Sequence, residues 1–382
     1  MVTKEFQPLP LVLVNAAPLR GVLSGIARYT RSLYTEILAA QSVYVLFFSR
    51  GKVQKTMPDQ NEQSTNRFVP GLIRMSLRRV RATWMKKGLL KIAKKTGASV
   101  YHETGLTIAP RLKGLMTIIT LYDLSLMHYP ECHPKDRVEY FEGHFLPQIG
   151  SVDHIITISD FVATELIESL GIPKDRVTSI HLAADPIFGQ RPMDRVMDVR
   201  LKFGLPEQYM LYVGTLEPRK NLVQVARAMS QMVSAIPLVC AGRKGWLNMG
   251  FESEVKKLKI GSRIIHLGVC SDEDLAALYT GATVFVYPSL YEGFGLPVLE
   301  AMACGCPVVC SDRASLPEVA GNAAIQVSAE DDHALAVALD NVIENVELQQ
   351  QLSVKGMHRA DEFSWGSTAK RTLEVFDKVC SR

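Results

Sequence analysis

Several things are missing from this chain, and each absence narrows what it can be. No run of 18 apolar residues occurs in its 382 positions, so no segment reads as a transmembrane helix. No secretory leader opens it, and its seven cysteines lie scattered; disulfides are therefore not expected, and the cytosol is the expected compartment. Cys304, Cys306 and Cys310 have no histidine nearby, which favours small apolar packing over a metal site. The only D-x-D spacing, Asp272 and Asp274, follows Ser271 and precedes Leu275, Leu278 and Tyr279, so a helix cap explains it better than a metal does. The net charge of +4 does not by itself imply nucleic acid, and no nucleic-acid motif accompanies it. No internal repeat is visible.

What is present describes a globular chain, with 47% hydrophobic and 21% charged residues, long enough for two domains. Buried-type strands are expected at 9–14, 43–48, 99–102, 117–121, 154–158 and 177–181, with helices between most of them. Ile26, Tyr29, Leu33 and Ile37 recur at helical spacing after the loop that holds Gly21 and Gly25, glycines that let backbone come close to a ligand. Ser159 reads as the cap of a helix over 160–170, ended by Gly171 and Pro173. Residues 186–206 are rich in charge and proline and read as a link. The pattern then restarts with strands at 209–213, 238–241, 264–267, 283–287 and 307–310. Alternating strands and helices imply parallel, doubly wound α/β sheets. The expected division is a first domain over 1–188 and a second over 206–362. Trp365, Ala369, Leu373, Phe376 and Val379 mark one face of a closing helix over 364–382.

The most informative stretch is Thr283–Ser311, TVFVYPSLYEGFGLPVLEAMACGCPVVCS. It reads strand, loop, short helix, strand, with Pro297 in the first helical turn and Gly305 just past the last. Glu292 and Glu300 then flank a helix N-terminus near Gly295 and Leu296, and such a terminus attracts anions. A second loop, Gly214-Thr215-Leu216-Glu217-Pro218-Arg219-Lys220, puts two cations ahead of a helix whose dipole they oppose. A phosphorylated ligand would explain them. Taken as spacing alone, the two acids fit a ligand site or a simple complement to the helix dipole equally well.

EGFGLPVLEAMACGCPVV resembles the E-x7-E signature of retaining glycosyltransferase family 4, and YVGTLEPRKNL resembles that family's diphosphate loop. The resemblance covers nearly the whole chain and is closest to the mannosyltransferase branch that builds bacterial O-antigen and related polysaccharides. It implies the GT-B architecture: two Rossmann-like domains with a cleft between them, and a C-terminal helix packing back onto the first. It further implies that Arg219 and Lys220 meet the donor diphosphate in a loop with Gly214 and Thr215, and that Glu300 holds the ribose. Glu292 would meet donor-sugar hydroxyls, helped by the backbone of Phe294, Gly295 and Leu296. Asp123, in a segment lining the acceptor side, would be catalytic with Glu292, Arg219 and Lys220, and Gly25 would bind substrate. The segment TLYDLSLMHYPECH departs from the family, because Tyr122 stands where a histidine is usual.

Ten basic residues crowd 67–95, from Arg67 to Lys95, with no acid between Glu62 and Glu103 and with apolar residues interleaved. Two readings stay open: an anionic membrane surface, or a solvated face of a packed helix. The expected activity is transfer of a hexose from a GDP-sugar, GDP-mannose first and GDP-rhamnose second, to a lipid-linked or glycan acceptor. It would take place at the cytoplasmic face of the inner membrane, without a metal and without nucleic acid. A sugar-nucleotide epimerase and a non-catalytic nucleotide-sugar-binding scaffold are the rivals.

Overall fold

The computed structural model describes residues 10–19, 25–49, 52–58, 88–105, 114–245 and 249–381. The chain forms two compact units. The first comprises residues 1–127, 135–181 and 365–382, the second 128–134 and 182–364.

The first unit is built on a seven-stranded sheet: β1 Leu11–Asn15, β2 Tyr44–Ser49, β3 Lys52–Gln54, β4 Val100–Glu103, β5 Met116–Leu121, β6 His154–Thr157 and β7 Val177–Ser179. Its order is β3-β2-β1-β4-β5-β6-β7. All neighbours run parallel except β3, which is antiparallel to β2. The order reverses between β1 and β4, which pair with Val14 opposite His102. β4 and β6 are buried along their whole length, because a parallel sheet is covered on both faces and its strands read as apolar runs rather than alternations. Polar residues inside this core find partners. Tyr34 shares a hydrogen bond with His102 Nδ1 (2.6 Å), and Thr120 Oγ1 bridges His102 Nε2 (2.8 Å) and the Tyr29 hydroxyl (2.9 Å). Burial pushes the His102 imidazole down to about 3, so it is neutral.

The closing helix Trp365–Cys380 belongs to this first unit. Trp365 meets Tyr29 at 6.2 Å and Phe376 meets His102 at 5.5 Å between ring centroids, while Thr368 donates to the His181 carbonyl. Its buried seam runs through Thr368, Thr372 and Val375 as well as the expected aromatics; Leu373 is only half-buried. Thr372 can sit inside because its hydroxyl donates to the Thr368 carbonyl in the preceding turn.

The second unit carries a six-stranded, all-parallel sheet: β8 Met210–Val213, β9 Leu238–Ala241, β10 Ile264–Gly268, β11 Val284–Tyr287, β12 Val308–Ser311 and β13 Ile325–Val327. The order is β10-β9-β8-β11-β12-β13, so the reversal lies between β8 and β11. Residues 193–203, within the stretch read as a link, form a helix of this unit. Arg195 and Lys202 clamp the Asp274 carboxylate at 2.7 and 2.6 Å. Asp274 N–H in turn bonds the Ser271 hydroxyl; the D-x-D pair therefore opens a capped helix, Asp272–Gly281. All seven cysteines are free thiols, with Cys304, Cys306 and Cys310 buried. No helix of the described residues is long and apolar enough to cross a membrane.

Candidate active site

In an open parallel sheet, ligands bind beyond the carboxyl ends of the strands where the order reverses. In the second unit the chain leaves that point along two loops, one after β8 and one after β11. They carry the cations and acids singled out above.

The β8 loop is laid down by backbone pairing that continues past the strands. Gly214 N–H bonds Ala241 O (2.9 Å), Leu216 N–H bonds Arg243 O (3.0 Å), and Gly245 N–H returns to Leu216 O (3.1 Å). The approach is so close that a Cβ on Gly242 would lie 2.0 Å from Gly214 O. The loop ends in the turn Pro218–Lys220, after which Asn221 adopts φ 57°. The Asn221 amide donates to the carbonyls of Pro288 (3.2 Å) and Ala329 (2.8 Å), and Leu290 N–H bonds Arg219 O (2.9 Å). The two loops are thus fastened to each other by one main-chain bond and by the Asn221 side chain, before any charged group is considered.

Their side chains close an ionic network. Lys220 Nζ donates to Glu292 Oε1 (2.6 Å) and to the Tyr287 hydroxyl (2.7 Å). Arg219 pairs with Glu217 at 2.6 Å, stands 3.3 Å from Glu292 Oε2 and donates to the Tyr291 carbonyl. Lys220 and Glu292 are each only 8% exposed. Burial alone would raise the Glu292 carboxyl, but Lys220 and Arg219 outweigh it and hold it at about 2. Burial draws the Lys220 ammonium down, and Glu292 partly restores it. Glu292 is therefore a permanent carboxylate at neutral pH. It can accept hydrogen bonds from hydroxyls but has no proton to give.

Beyond Glu292 the chain enters the helix Leu296–Ala303 through Gly295 at φ 108°, where a Cβ would lie 2.7 Å from Leu316 Cδ2. Ser315 Oγ spans the carbonyls of Glu292 (2.9 Å) and Phe294 (2.8 Å), holding the loop to the body of the unit. The Phe294 ring turns away to meet Phe363 edge-on, which leaves its backbone as the part that can face a ligand. Pro297 occupies the first turn. Past the last turn, Gly305 at φ 72° and Cys306 return their N–H groups to Met302 O and Ala301 O, a crossed pair of bonds that needs glycine at its left-handed position. Glu300, buried on this helix, accepts from the Tyr279 hydroxyl at 3.2 Å. Thr215 offers its carbonyl to Tyr212.

Arg219, Lys220, Gly214, Thr215, Glu292, Phe294, Gly295, Leu296 and Glu300 thus lie in the second unit, while Gly25 and Asp123 lie in the first. Gly25 opens the helix Gly25–Ala40 and is exposed; Gly21, with residues 20–24, is outside the described residues. Asp123 Oδ1 accepts from the backbone (2.9 Å) and hydroxyl (2.6 Å) of Ser125, capping the short helix Ser125–His128. Tyr122 donates to the Thr104 carbonyl (2.6 Å) and sets its ring edge-on to Tyr29. Sequence reasoning assigned nothing to Glu217, Tyr287 or Ser315. Glu217 stood in the loop motif and was open to notice; Tyr287 read as an apolar strand residue.

Two family descriptions match the chain, "Glycosyltransferase Family 4" over residues 23–187 and "Glycosyl transferases group 1" over residues 197–359. It is 32% identical to O-antigen chain mannosyltransferase B of Escherichia coli, over 96% of this chain and 99% of that one. It is 30% identical to the serotype-specific mannosyltransferase WbdA of Escherichia coli over 69% of this chain, a match that spans 33% of WbdA. Its fold is similar to that of sucrose-phosphate synthase from Thermosynechococcus elongatus, with a TM-score of 0.77 and 22% identity over 98% of this chain and 100% of that one. Two parallel Rossmann-like sheets with these matches make the chain a member of glycosyltransferase family 4, with the GT-B fold.

Proposed function

We propose that the protein is a retaining hexosyltransferase of bacterial O-antigen assembly. It takes mannose, or second a 6-deoxy relative such as rhamnose, from a GDP-sugar and places it on a lipid-linked or glycan acceptor. One observation carries the reading: Arg219 and Lys220 meet Glu292 at the switch point of the second sheet. Two fixed cations beside a helix N-terminus suit a diphosphate, and a carboxylate held at about 2 suits sugar hydroxyls but not proton donation. Glu300 and the Tyr279 hydroxyl that bonds it fit the ribose.

In this reading the leaving group collects the acceptor's proton, because Glu292 is held as a carboxylate and has none to lend the departing phosphate. The bond from the anomeric carbon to the phosphate oxygen breaks while the acceptor oxygen bonds that carbon on the same face. The acceptor's hydroxyl proton passes to the departing phosphate oxygen, which Arg219 and Lys220 have stabilised. These cations also supply the charge that a divalent ion would, so activity should survive EDTA; loss of activity restored by magnesium or manganese would refute that point.

The mannosyltransferase names of the relatives at 32% and 30% identity favour mannose as the sugar. The test is competition. GDP, UDP and ADP are compared as inhibitors, and GDP-mannose, GDP-rhamnose and UDP-glucose as donors with lipid-linked acceptors. Tighter binding of UDP with turnover of UDP-glucose alone would overturn the donor. Conversion of donor without any acceptor into an isomeric sugar nucleotide would favour an epimerase.

A further inference from the structure

The first sheet also has a switch point, between β1 and β4, and a carboxylate stands there too. Glu103 ends β4, is 1% exposed, and is held from three sides. Asn15, the last residue of β1, and Gly105 N–H (2.7 Å) donate to Oε1, and the Tyr101 hydroxyl donates to Oε2 (2.6 Å). Asn15 Oδ1 accepts from Ala17 N–H (3.0 Å), and Thr104 Oγ1 donates to the Asn15 carbonyl (2.9 Å). Tyr122, at the end of β5, donates to Thr104 O. The carboxyl ends of three adjacent strands, β1, β4 and β5, are therefore tied through Glu103 and its neighbour. Its counterpart in the second sheet, the carboxylate leaving β11, is Glu292, tied to the loop leaving β8.

We propose that Glu103 is a positioning residue for acceptor binding: by clasping the ends of β1 and β4 it sets the crevice of the first unit that receives the hydroxyls of a carbohydrate acceptor. The inference rests on the glycosyltransferase reading above. All three groups on the carboxyl are donors, so the clasp is complete when Glu103 is ionised. Burial pushes the carboxyl up to about 7, with the bonds from Tyr101, Asn15 and Gly105 opposing. The charged or titratable groups facing it are Tyr101 on its own strand and Tyr122 beyond β5, both kept protonated by burial; Asn15 and Gly105 do not titrate. Protonation near neutrality would place a hydrogen on one oxygen of the clasp, which changes how its donors are shared while relieving the buried charge.

The experiment compares the wild-type chain with Glu103→Gln and Glu103→Ala, using GDP-mannose as donor and octyl α-mannoside as acceptor probe. The expected result is an acceptor KM at least tenfold higher in Glu103→Gln at pH 8, with donor KM and kcat changed less than twofold. The wild-type acceptor KM should rise as pH falls through 7, and that of Glu103→Gln should not respond. Equal acceptor KM and equal pH profiles in wild type and Glu103→Gln would overturn the proposal. If no sugar nucleotide supports transfer by the wild type, the glycosyltransferase reading fails instead, and a second measurement still judges Glu103. Amide exchange at Ala17 and Gly105, corrected for intrinsic rate, should quicken at least tenfold in Glu103→Ala. Unchanged protection would show that Glu103 clasps nothing.

Discussion

At the scale of single residues, the ionic network dictates how the site responds to substitution. Lys220 and Glu292 are buried together, so deleting one partner strands the other. Lys220→Ala leaves Glu292 with Arg219 alone and should cost about 3 kcal/mol of stability by denaturant unfolding. Glu292→Gln keeps an oxygen for Lys220 and should cost less, while lowering transfer at least tenfold if, as proposed, the carboxylate accepts from sugar hydroxyls. Wild-type turnover in Glu292→Gln, or wild-type stability in Lys220→Ala, would show that the pair observed at 2.6 Å matters to neither. A diphosphate bound as proposed would meet cations that already have partners. Its binding must exchange one set of ion pairs for another, so its affinity reflects a difference rather than a sum.

At the scale of elements, the two loops depend on a backbone contact that side chains cannot substitute for. Gly242→Ala would set a Cβ 2.0 Å from Gly214 O at a φ of 144°, forcing the β8 and β9 loops apart. The expected cost is about 2 kcal/mol or more, with loss of nucleotide binding by titration; unaltered binding would show that the loop is set from elsewhere. The basic segment 67–95 is a second element-scale matter. Its residues 67–87 lie outside the described residues, while residues 88–96 are helical. There Leu89 and Ala93 join the apolar core, and Lys91, Lys94 and Lys95 are exposed. That end packs as an ordinary amphipathic helix with its charge outward, a geometry equally suited to an anionic surface. Binding to anionic liposomes at low salt, weakened by added salt, is the expected outcome; indifference to liposomes would leave a folded surface only.

Strands were the easiest elements to read, because both faces of each central strand are buried and the apolar run is unbroken, as in Met210–Val213 and Val284–Tyr287. The helix Met193–Phe203 was hidden for the opposite reason. It buries only Val196 and Val199, and leaves Met193 66% and Leu201 79% exposed, so its apolar positions do not describe the face that packs. Glu292 and Lys220 were legible as residues, because glycine and proline around them declare loop and helix start. Their pairing was not legible, since it joins positions 72 residues apart through a strand order that only the folded sheet specifies. Glu103 gave no signal for the same reason: its partner Asn15 is 88 residues away.

At the scale of the whole molecule, three buried groups contribute to the response to acid, and not all in the same direction. His102, lowered from 6.5 to about 3, contributes stability that is lost as pH falls through that window. Glu292, lowered from 4.5 to about 2, contributes stability that is lost only below 4.5. Glu103, raised from 4.5 to about 7, acts the other way, its contribution being present below 4.5 and lost as pH rises through 7. Between pH 7 and 4.5 the change at Glu103 opposes those at His102 and at His266, which burial also draws down; below 4.5 Glu292 and Asp274 add further losses. Tm should therefore fall more steeply below pH 4.5 than above it, and Glu103→Gln should lose more Tm than wild type between pH 7 and 4.5. Scanning calorimetry across pH 3–8 decides it, and equal slopes in wild type and Glu103→Gln over that window would contradict the opposition.

The first unit is made from distant stretches of the chain, since Trp365–Cys380 covers Tyr29 and His102. A ribosome making this protein delivers that helix only after residues 182–364. While residues 182–364 emerge and complete a whole sheet of their own, the first unit waits with one side of its core uncovered. The second unit can thus mature during synthesis, but the first becomes whole only after residues 365–380 have followed it, and a message cut short before them would spoil a unit begun long before.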